Sequence, residues 1–146
     1  MKQIRLDRYT VLNIAPKEYH KRILTTEAPL ILSMMKIDNY NNFRLPTVEE
    51  YYKIYKQTNY LYVKYSQYLT SSPITRRIHR YDVLMASQGY VDATYLEYAK
   101  LSHEVYNTVD FMQYYIIPVQ SEYKPNIIGK LCIQLNKFGT MMSILY

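Results

Sequence analysis

The sequence predicts an α+β fold that is mainly α: a small bundle of roughly four to five helices, with a short N-terminal extended segment and a C-terminal β-hairpin or meander. The middle of the chain repeats apolar residues at the three-and-four spacing of amphipathic helices. Helix-capping residues precede several of these stretches. Near both ends, apolar and polar residues alternate instead, as they do in half-buried strands.

The first half of the chain predicts an extended segment followed by two helices. Residues 1–15 form a candidate edge strand or extended arm, because apolar and charged residues alternate over Ile4 to Asp7. Pro16 fits the first turn of a short basic helix over 16–24. Thr26 then fits the N-cap of a helix over 27–37 that is apolar nearly all round, so we expect it to be central.

A polar loop and a long tyrosine-rich helix follow. Residues 38–46 are rich in Asn and Asp and predict a loop. Thr47 and Glu50 match a capping box, in which each side chain satisfies the other residue's backbone N–H. The apolar spacing continues to Leu69, so we predict one helix over 48–69.

The next segments predict further helices. Ser72 and Pro73 fit an N-cap and first helical residue, and Gly89 fits the C-terminal cap, so a helix is expected over 73–88. Asp92 fits the N-cap of a helix over 93–107. A shorter helical piece is expected between Thr108 and Pro118.

Residues 114–146 leave two interpretations open. Leu131, Ile133 and Leu135 alternate with polar residues, which indicates a strand. One helical face, with Gly139 as a cap, would instead hold Ile128, Leu131, Cys132, Leu135 and Phe138. We favour a β-rich tail, because Gly129 and several isoleucines weaken a helix.

Length and composition indicate one domain spanning residues 1–146. The chain is 49% hydrophobic and 21% charged, which is typical of globular proteins. Its single cysteine, Cys132, excludes an internal disulfide and favours a reducing compartment. The charged N-terminal segment does not resemble a signal peptide, and the longest apolar run, Ala28 to Met35, is far shorter than the roughly 20 residues of a membrane span. We expect a cytoplasmic or virus-particle protein without membrane contact.

The sequence contains no recognisable catalytic motif. His20, His79 and His103 share no metal-ligand spacing, and three glycines cannot build a phosphate-binding loop. Residues 94–109 have the apolar positions of a helix-turn-helix, but the second helix would be acidic and the DNA backbone would repel it. We therefore expect a non-enzymatic protein without a catalytic residue, metal site or cofactor.

The tyrosines point to a protein interface. The chain has 19 Tyr against three Phe and no Trp. A hydroxyl gains nothing in a permanent core unless it finds a partner, whereas a surface that is wet before assembly and buried afterwards suits tyrosine. The alternative is that the tyrosines rim an ordinary core with their hydroxyls outward. The predicted interface residues are Tyr51, Tyr55, Tyr62, Tyr65 and Tyr68.

Basic residues suggest a second kind of contact. The net charge is +6, and the basic residues cluster near the N-terminus and in the middle of the chain. Such clusters suit nucleic acid or another acidic partner. The candidates are Arg5, Arg8, Lys17, Lys21, Arg22, Arg76, Arg77 and Arg80.

The function expected from these features is structural. We predict a subunit that oligomerises, or docks into a larger protein complex, through its tyrosine-rich helix. Residues with AT-rich codons outnumber those with GC-rich codons, which suits a phage or virus particle component such as a helical head-tail connector or ring subunit. The alternative is a small basic nucleic-acid-binding or regulatory protein.

Overall fold

Two β-sheets, rather than a helical bundle, organise the chain. The computed structural model describes residues 1–60, 67–78, 81–92, 106–108 and 111–145. Within these residues, the prediction of a mainly α bundle is wrong. In the described residues, three α-helices accompany the sheets: α1 (Ala28–Met34), α2 (Val48–Gln57) and α3 (Ile127–Leu145).

Three antiparallel strands form the smaller sheet, in the order β1-β2-β8. They are β1 (Lys2–Arg5), β2 (Thr10–Ile14) and β8 (Val119–Tyr123). The predicted N-terminal edge strand is therefore one arm of a hairpin, and the pairing of Ile14 with Val119 joins this hairpin to the distant end of the chain.

Five strands form the larger sheet, in the order β3-β7-β4-β5-β6. Strands β4 and β5 make a long antiparallel hairpin, whereas β4 runs parallel to β7. The five strands are β3 (Arg22–Leu24), β4 (Gln67–Ile78), β5 (Tyr81–Asp92), β6 (Tyr106–Asn107) and β7 (Gln113–Tyr115).

The hairpin of β4 and β5 overturns the helix predicted over 73–88. Pro73 lies where the strand register shifts, a position at which a missing backbone N–H is tolerated. Gly89 pairs with Asn107 inside the sheet and caps no helix. Local capping signals were thus outweighed by backbone pairing between residues far apart in the chain.

The predicted tyrosine-rich helix is confirmed only in its first half. Its capping box is present: the Glu50 N–H donates to Thr47 Oγ1 at 3.1 Å, and the Thr47 N–H donates to Glu50 Oε1 at 2.9 Å. Helix α2 ends at Gln57, followed by extended backbone at Thr58. Residues 61–66 lie outside the described part, and the predicted helical end already belongs to β4.

Between β2 and α2, the helix prediction over 16–24 is wrong, the helix predicted over 27–37 is present but shorter, and the loop prediction holds. The predicted helix over 16–24 is a single 3-10 turn, Lys17–Tyr19, followed by β3. A second 3-10 turn, Thr25–Glu27, replaces the predicted cap before α1. The loop at 38–46 is confirmed, with positive φ at three polar residues that tolerate it: Asp38, Asn39 and Asn42.

Helix α1 does not occupy the central position that its apolar sequence predicts. Ala28 and Leu32 are buried, whereas Leu30 is 64% exposed and Met34 is 73% exposed. Although α1 carries apolar residues on every side, only one of its faces packs on the core.

The C-terminal part of the chain divides between strand and helix. Strands β7 and β8 belong to different sheets, so they do not form the predicted hairpin. From Ile127 to Leu145 the chain is helical, so the favoured β-rich interpretation is wrong there. The helix also continues through Gly139, which is not its cap. The helical piece expected before Pro118 is strand β7, while residues 93–105 of the other predicted helix lie outside the described part.

The core has two apolar clusters, and two short segments of the chain contribute residues to both. One packs α2 against the smaller sheet, and the other lies beneath α1 and the loop that follows it. Ile117 and Tyr68 belong to the first cluster, whereas their chain neighbours Ile116 and Leu69 belong to the second. Successive residues of extended chain point to opposite faces, so two short segments serve both clusters.

Candidate functional site

Two of the predicted interface tyrosines are sealed inside the chain. Tyr51 is fully buried and Tyr68 is 2% exposed. Their ring centroids lie 5.8 Å apart, and the Tyr51 hydroxyl donates a hydrogen bond to the Leu69 carbonyl. Burial raises the pKa of Tyr51 well above its ordinary value. These rings are covered by their own subunit, so they are not available to a partner.

Of the other three predicted interface tyrosines, only Tyr55 lies in the described residues. Tyr55 is half-buried and packs against the same cluster as Tyr51. Tyr62 and Tyr65 lie outside the described residues. Tyr51 and Tyr68 are core residues, but the hydroxyl of Tyr51 is directed inward to a carbonyl and not outward, as the alternative of tyrosines rimming the core expected.

The predicted basic residues contact separate parts of the chain. The Arg5 guanidinium donates to the Asp7 carbonyl at 3.0 Å, and Arg8 Nη1 lies 3.5 Å from Cys132 Sγ on α3. Lys17 Nζ lies 5.7 Å from the centre of the Tyr60 ring.

Elsewhere, Arg22 stacks near the Tyr115 ring at 5.3 Å and Lys21 is exposed. Arg76 and Arg77 lie on β4, while Arg80 lies outside the described residues.

Helix α3 is attached to the rest of the molecule at its first turns. Asn126 caps it, since its Oδ1 accepts from the Gly129 N–H at 2.8 Å. The Asn126 N–H donates to the Arg8 carbonyl at 2.9 Å, and the Lys124 N–H donates to the Tyr9 carbonyl at 2.8 Å. The turn between β1 and β2 therefore holds the start of the helix.

A glycine permits this close attachment. A Cβ added at Gly129 would clash with the Arg8 carbonyl oxygen and lie 3.2 Å from Tyr9 Cδ1. Only Gly lets the helix approach the turn this closely. The asparagine cap and this glycine were the sequence signals for α3 that our prediction missed.

Beyond its attachment, α3 leaves a row of large apolar side chains in solvent. Ile128, Leu131, Leu135 and Phe138 are between 55% and 63% exposed. Their spacing alternates between three and four residues, and the sequence continues it to Met142 and Leu145. This is the heptad spacing at which one helix packs into another in a coiled coil. We call these six residues the α3 seam.

The side of α3 that faces the rest of the molecule is different from the seam. Gly129 is buried, and Cys132 and Ile133 are half-buried. At 3.6 residues per turn, Gly129 and Ile133 lie roughly opposite the middle of the seam, and Cys132 lies at its flank. These contacts with the subunit leave Ile128, Leu131, Leu135 and Phe138 exposed.

No residue of α3 that flanks the seam is charged, although Arg8 of the turn between β1 and β2 lies 3.5 Å from Cys132 on one flank. With Ile128 taken as heptad position a, the e and g positions between 127 and 145 carry no charged residue: they are Ile127, Cys132, Gln134, Gly139 and Met141. The two lysines of the helix, Lys130 and Lys137, fall at position c, away from the seam.

Comparisons with known protein families, curated proteins and solved structures find no match to this chain. None of the helices in the described residues is both long and apolar enough to span a membrane. Nor do the described residues contain three or more His, Cys, Asp or Glu side chains grouped so that they could hold a metal ion.

Proposed function

We propose that this chain is a non-enzymatic assembly subunit whose copies associate through a coiled coil of their α3 helices. The observation that carries the proposal is the exposed α3 seam. Its four described side chains, Ile128, Leu131, Leu135 and Phe138, are more than half exposed in the single subunit, and the described contacts of the helix lie on another side. Packing against the α3 seam of a second copy would bury them.

The energy available suits a reversible association. Burying the exposed part of each seam side chain contributes on the order of 1 kcal/mol, before the cost of bringing two chains together. About two and a half heptads are present, on a helix about 28 Å long. We expect a dissociation constant on the order of micromolar, so that assembly responds to the local concentration of the protein.

A second copy of the same chain is the partner that the charges favour. Coiled coils that select a different partner use opposite charges at the e and g positions. The residues that flank the seam on α3 are neutral, so two α3 helices meet without repulsion between their own side chains, and the lysines at position c lie away from the seam.

The setting that we propose is a phage or virus particle, in which the chain would be a repeated ring or connector component. The composition supports this setting through its excess of residues with AT-rich codons. The route of association is the α3 seam and not the tyrosine-rich helix, since Tyr51 and Tyr68 are internal.

Sedimentation velocity over a range of protein concentrations tests the proposal. The wild-type protein should form dimers or larger oligomers as its concentration rises through the micromolar range. Leu135→Glu places a charge in the seam and should leave a folded monomer at all these concentrations, with at least about tenfold weaker association.

Asn136→Glu is the matched control. It adds the same charge one residue along the same exposed part of the helix, at position b, and should assemble like the wild type. A wild-type protein that stays monomeric throughout would overturn the proposal, as would a Leu135→Glu variant that assembles as well as the control.

A further inference from the structure

An open cleft collects three lysines that are far apart in the sequence. Its volume is about 600 Å³, within the usual range of ligand sites. Lys2 comes from β1, Lys17 from the first 3-10 turn and Lys56 from the last turn of α2. The last residue of α2, Gln57, and residues 58–60 after it also line the cleft.

The cleft is positive, and no carboxylate offsets it among the described residues that line it. The other lining side chains are neutral: Gln57, Thr58, Asn59 and Tyr60. Three ammonium groups around one opening produce a positive potential that attracts an anion. Each ammonium also has three N–H donors on a flexible stem, which suits the oxygens of phosphate.

The ring of Tyr60 is held in place beside the lysines of the cleft. The Tyr60 N–H donates to Thr58 Oγ1 at 3.1 Å, and Thr58 in turn donates to the Ile54 carbonyl at 2.6 Å. The His20 ring meets the Tyr60 ring edge-on, with centroids 4.9 Å apart and planes at 82°. His20 is itself positioned by a contact of 2.7 Å between Nε2 and the Ala15 carbonyl.

The charge of the cleft comes from its lysines and not from this histidine. Burial lowers the pKa of His20, and the nearby charge of Lys17 also lowers it, against the opposing effect of the Ala15 carbonyl. His20 is therefore mostly neutral at pH 7 and acts as a support for Tyr60. The ring of Tyr60 remains beside Lys17, whose Nζ lies 5.7 Å from its centre.

We propose that this cleft binds the phosphates of a nucleotide unit, with its lysines on the phosphate oxygens and Tyr60 against the base. Lysines that track phosphates beside an aromatic ring are the combination by which proteins hold unpaired nucleotides. The same chemistry is offered by a free nucleoside triphosphate and by a single strand of nucleic acid. The site includes Lys17 from the predicted basic residues, but none of the predicted arginines.

Fluorescence anisotropy with a labelled oligothymidylate of about 12 nucleotides tests the site, with ATP and inorganic tripolyphosphate as competitors. The double variant Lys17→Ala/Lys56→Ala should weaken binding at least about tenfold, and should reduce the slope of log affinity against log salt by about 2. The matched control is Lys36→Ala/Lys137→Ala, which removes the same charge at exposed positions outside the cleft. It should lose less than about threefold.

Substitution of Tyr60 tests the contact with the base. Tyr60→Leu should weaken oligothymidylate binding several-fold, whereas Tyr60→Phe should bind like the wild type. Stronger competition by ATP than by tripolyphosphate would support the proposal, and the relative affinities of ATP and the oligonucleotide would identify the source of the nucleotide.

Three results would overturn the proposal: absence of binding by the wild type, equal losses in the two lysine variants, or a Tyr60→Leu variant that binds like the wild type. All variants should keep the wild-type unfolding temperature. The site and the assembly seam are tested by different residues, so either can fail alone.

Discussion

At the scale of single residues, an ion pair joins three separate parts of the chain. Arg44 Nη1 and Nη2 contact the two carboxylate oxygens of Glu50 at 2.6 and 2.8 Å, and Nη2 also donates to Ser121 Oγ at 2.6 Å. Glu50 additionally caps α2 through Thr47. The pair therefore connects the 38–46 loop to the start of α2 and to β8.

The protonation of Glu50 is coupled to folding. Burial acts to raise its pKa, but the hydrogen bonds from Arg44 and Thr47 and the charge of Arg44 together lower it. Because the pKa of Glu50 is lower in the folded than in the unfolded state, its ionised form stabilises the fold. This stabilisation is fully present at pH values above the unfolded-state pKa of about 4.5. That stability is lost as the pH falls through the folded-state pKa.

Glu50→Gln should therefore destabilise the protein at neutral pH and have less effect in acid. Gln retains hydrogen bonding but not the charge, and the Arg44 side chain is 38% exposed, so screening limits the expected loss to about 1 kcal/mol at about pH 7. At about pH 3 the difference from wild type should shrink. Urea unfolding at both pH values measures the free energy.

The exposed neighbour Glu49 provides the control for this experiment. Glu49→Gln should change the free energy of unfolding by less than about 0.5 kcal/mol at either pH. If Glu50→Gln behaves like this control at neutral pH, the ion pair does not stabilise the fold.

At the scale of elements, the stability of α3 depends on the surroundings of its two glycines, Gly129 and Gly139. An isolated helix of 19 residues is only marginally stable in water. Its first turns are fixed by the Arg8 and Asn126 contacts, and every described side chain from Gln134 to Gly139 is exposed. Under the proposed association, the seam of a second α3 helix would add stability to the far part of α3.

The same substitution should have opposite effects at the two glycines. Gly129→Ala brings a Cβ into the Arg8 carbonyl and should cost about 1–3 kcal/mol. A Cβ at Gly139 meets nothing within 4 Å, so Gly139→Ala should stabilise the helix by about 0.5–1 kcal/mol.

Far-UV circular dichroism and urea unfolding compare the two alanine variants directly. Effects of the same sign would show that α3 does not begin against the turn between β1 and β2.

At the scale of the whole molecule, the two proposed binding surfaces differ in charge. The α3 seam and the α3 residues that flank it are uncharged, whereas the cleft of Lys2, Lys17 and Lys56 is strongly positive. Salt screens contacts between charges but leaves apolar burial almost unchanged at moderate concentrations.

Salt should therefore separate the two activities. Between about 50 and 500 mM NaCl, the self-association constant should change by less than about twofold, whereas affinity for the oligothymidylate should fall by more than about tenfold. Sedimentation velocity and fluorescence anisotropy at matched salt concentrations make the comparison. Self-association that collapses in salt would mean that charges, and not the seam, hold the copies together.

The sequence by itself determined the features that depend on near neighbours. The capping box of Thr47 and Glu50 satisfies backbone groups within one turn, and the Asn and Asp residues of the 38–46 loop adopt positive φ locally. The helical face of α3 was also visible, but the strand interpretation was favoured over it because Gly129 and the isoleucines weaken a helix, and that choice was wrong. Such signals need no distant partner.

Only the tertiary structure decided which local signals prevailed. Ser72, Pro73 and Gly89 are good helix-end residues, but β4 and β5 satisfy each other's backbone groups across the hairpin, and β7 covers one edge. Tyr51 and Tyr68 became core residues because α2 packs on the smaller sheet. The lysine cleft likewise exists only because folding brings residues 2, 17 and 56 together. Pairing and packing of this kind join residues far apart in the chain, and no short-range pattern encodes which of them will meet.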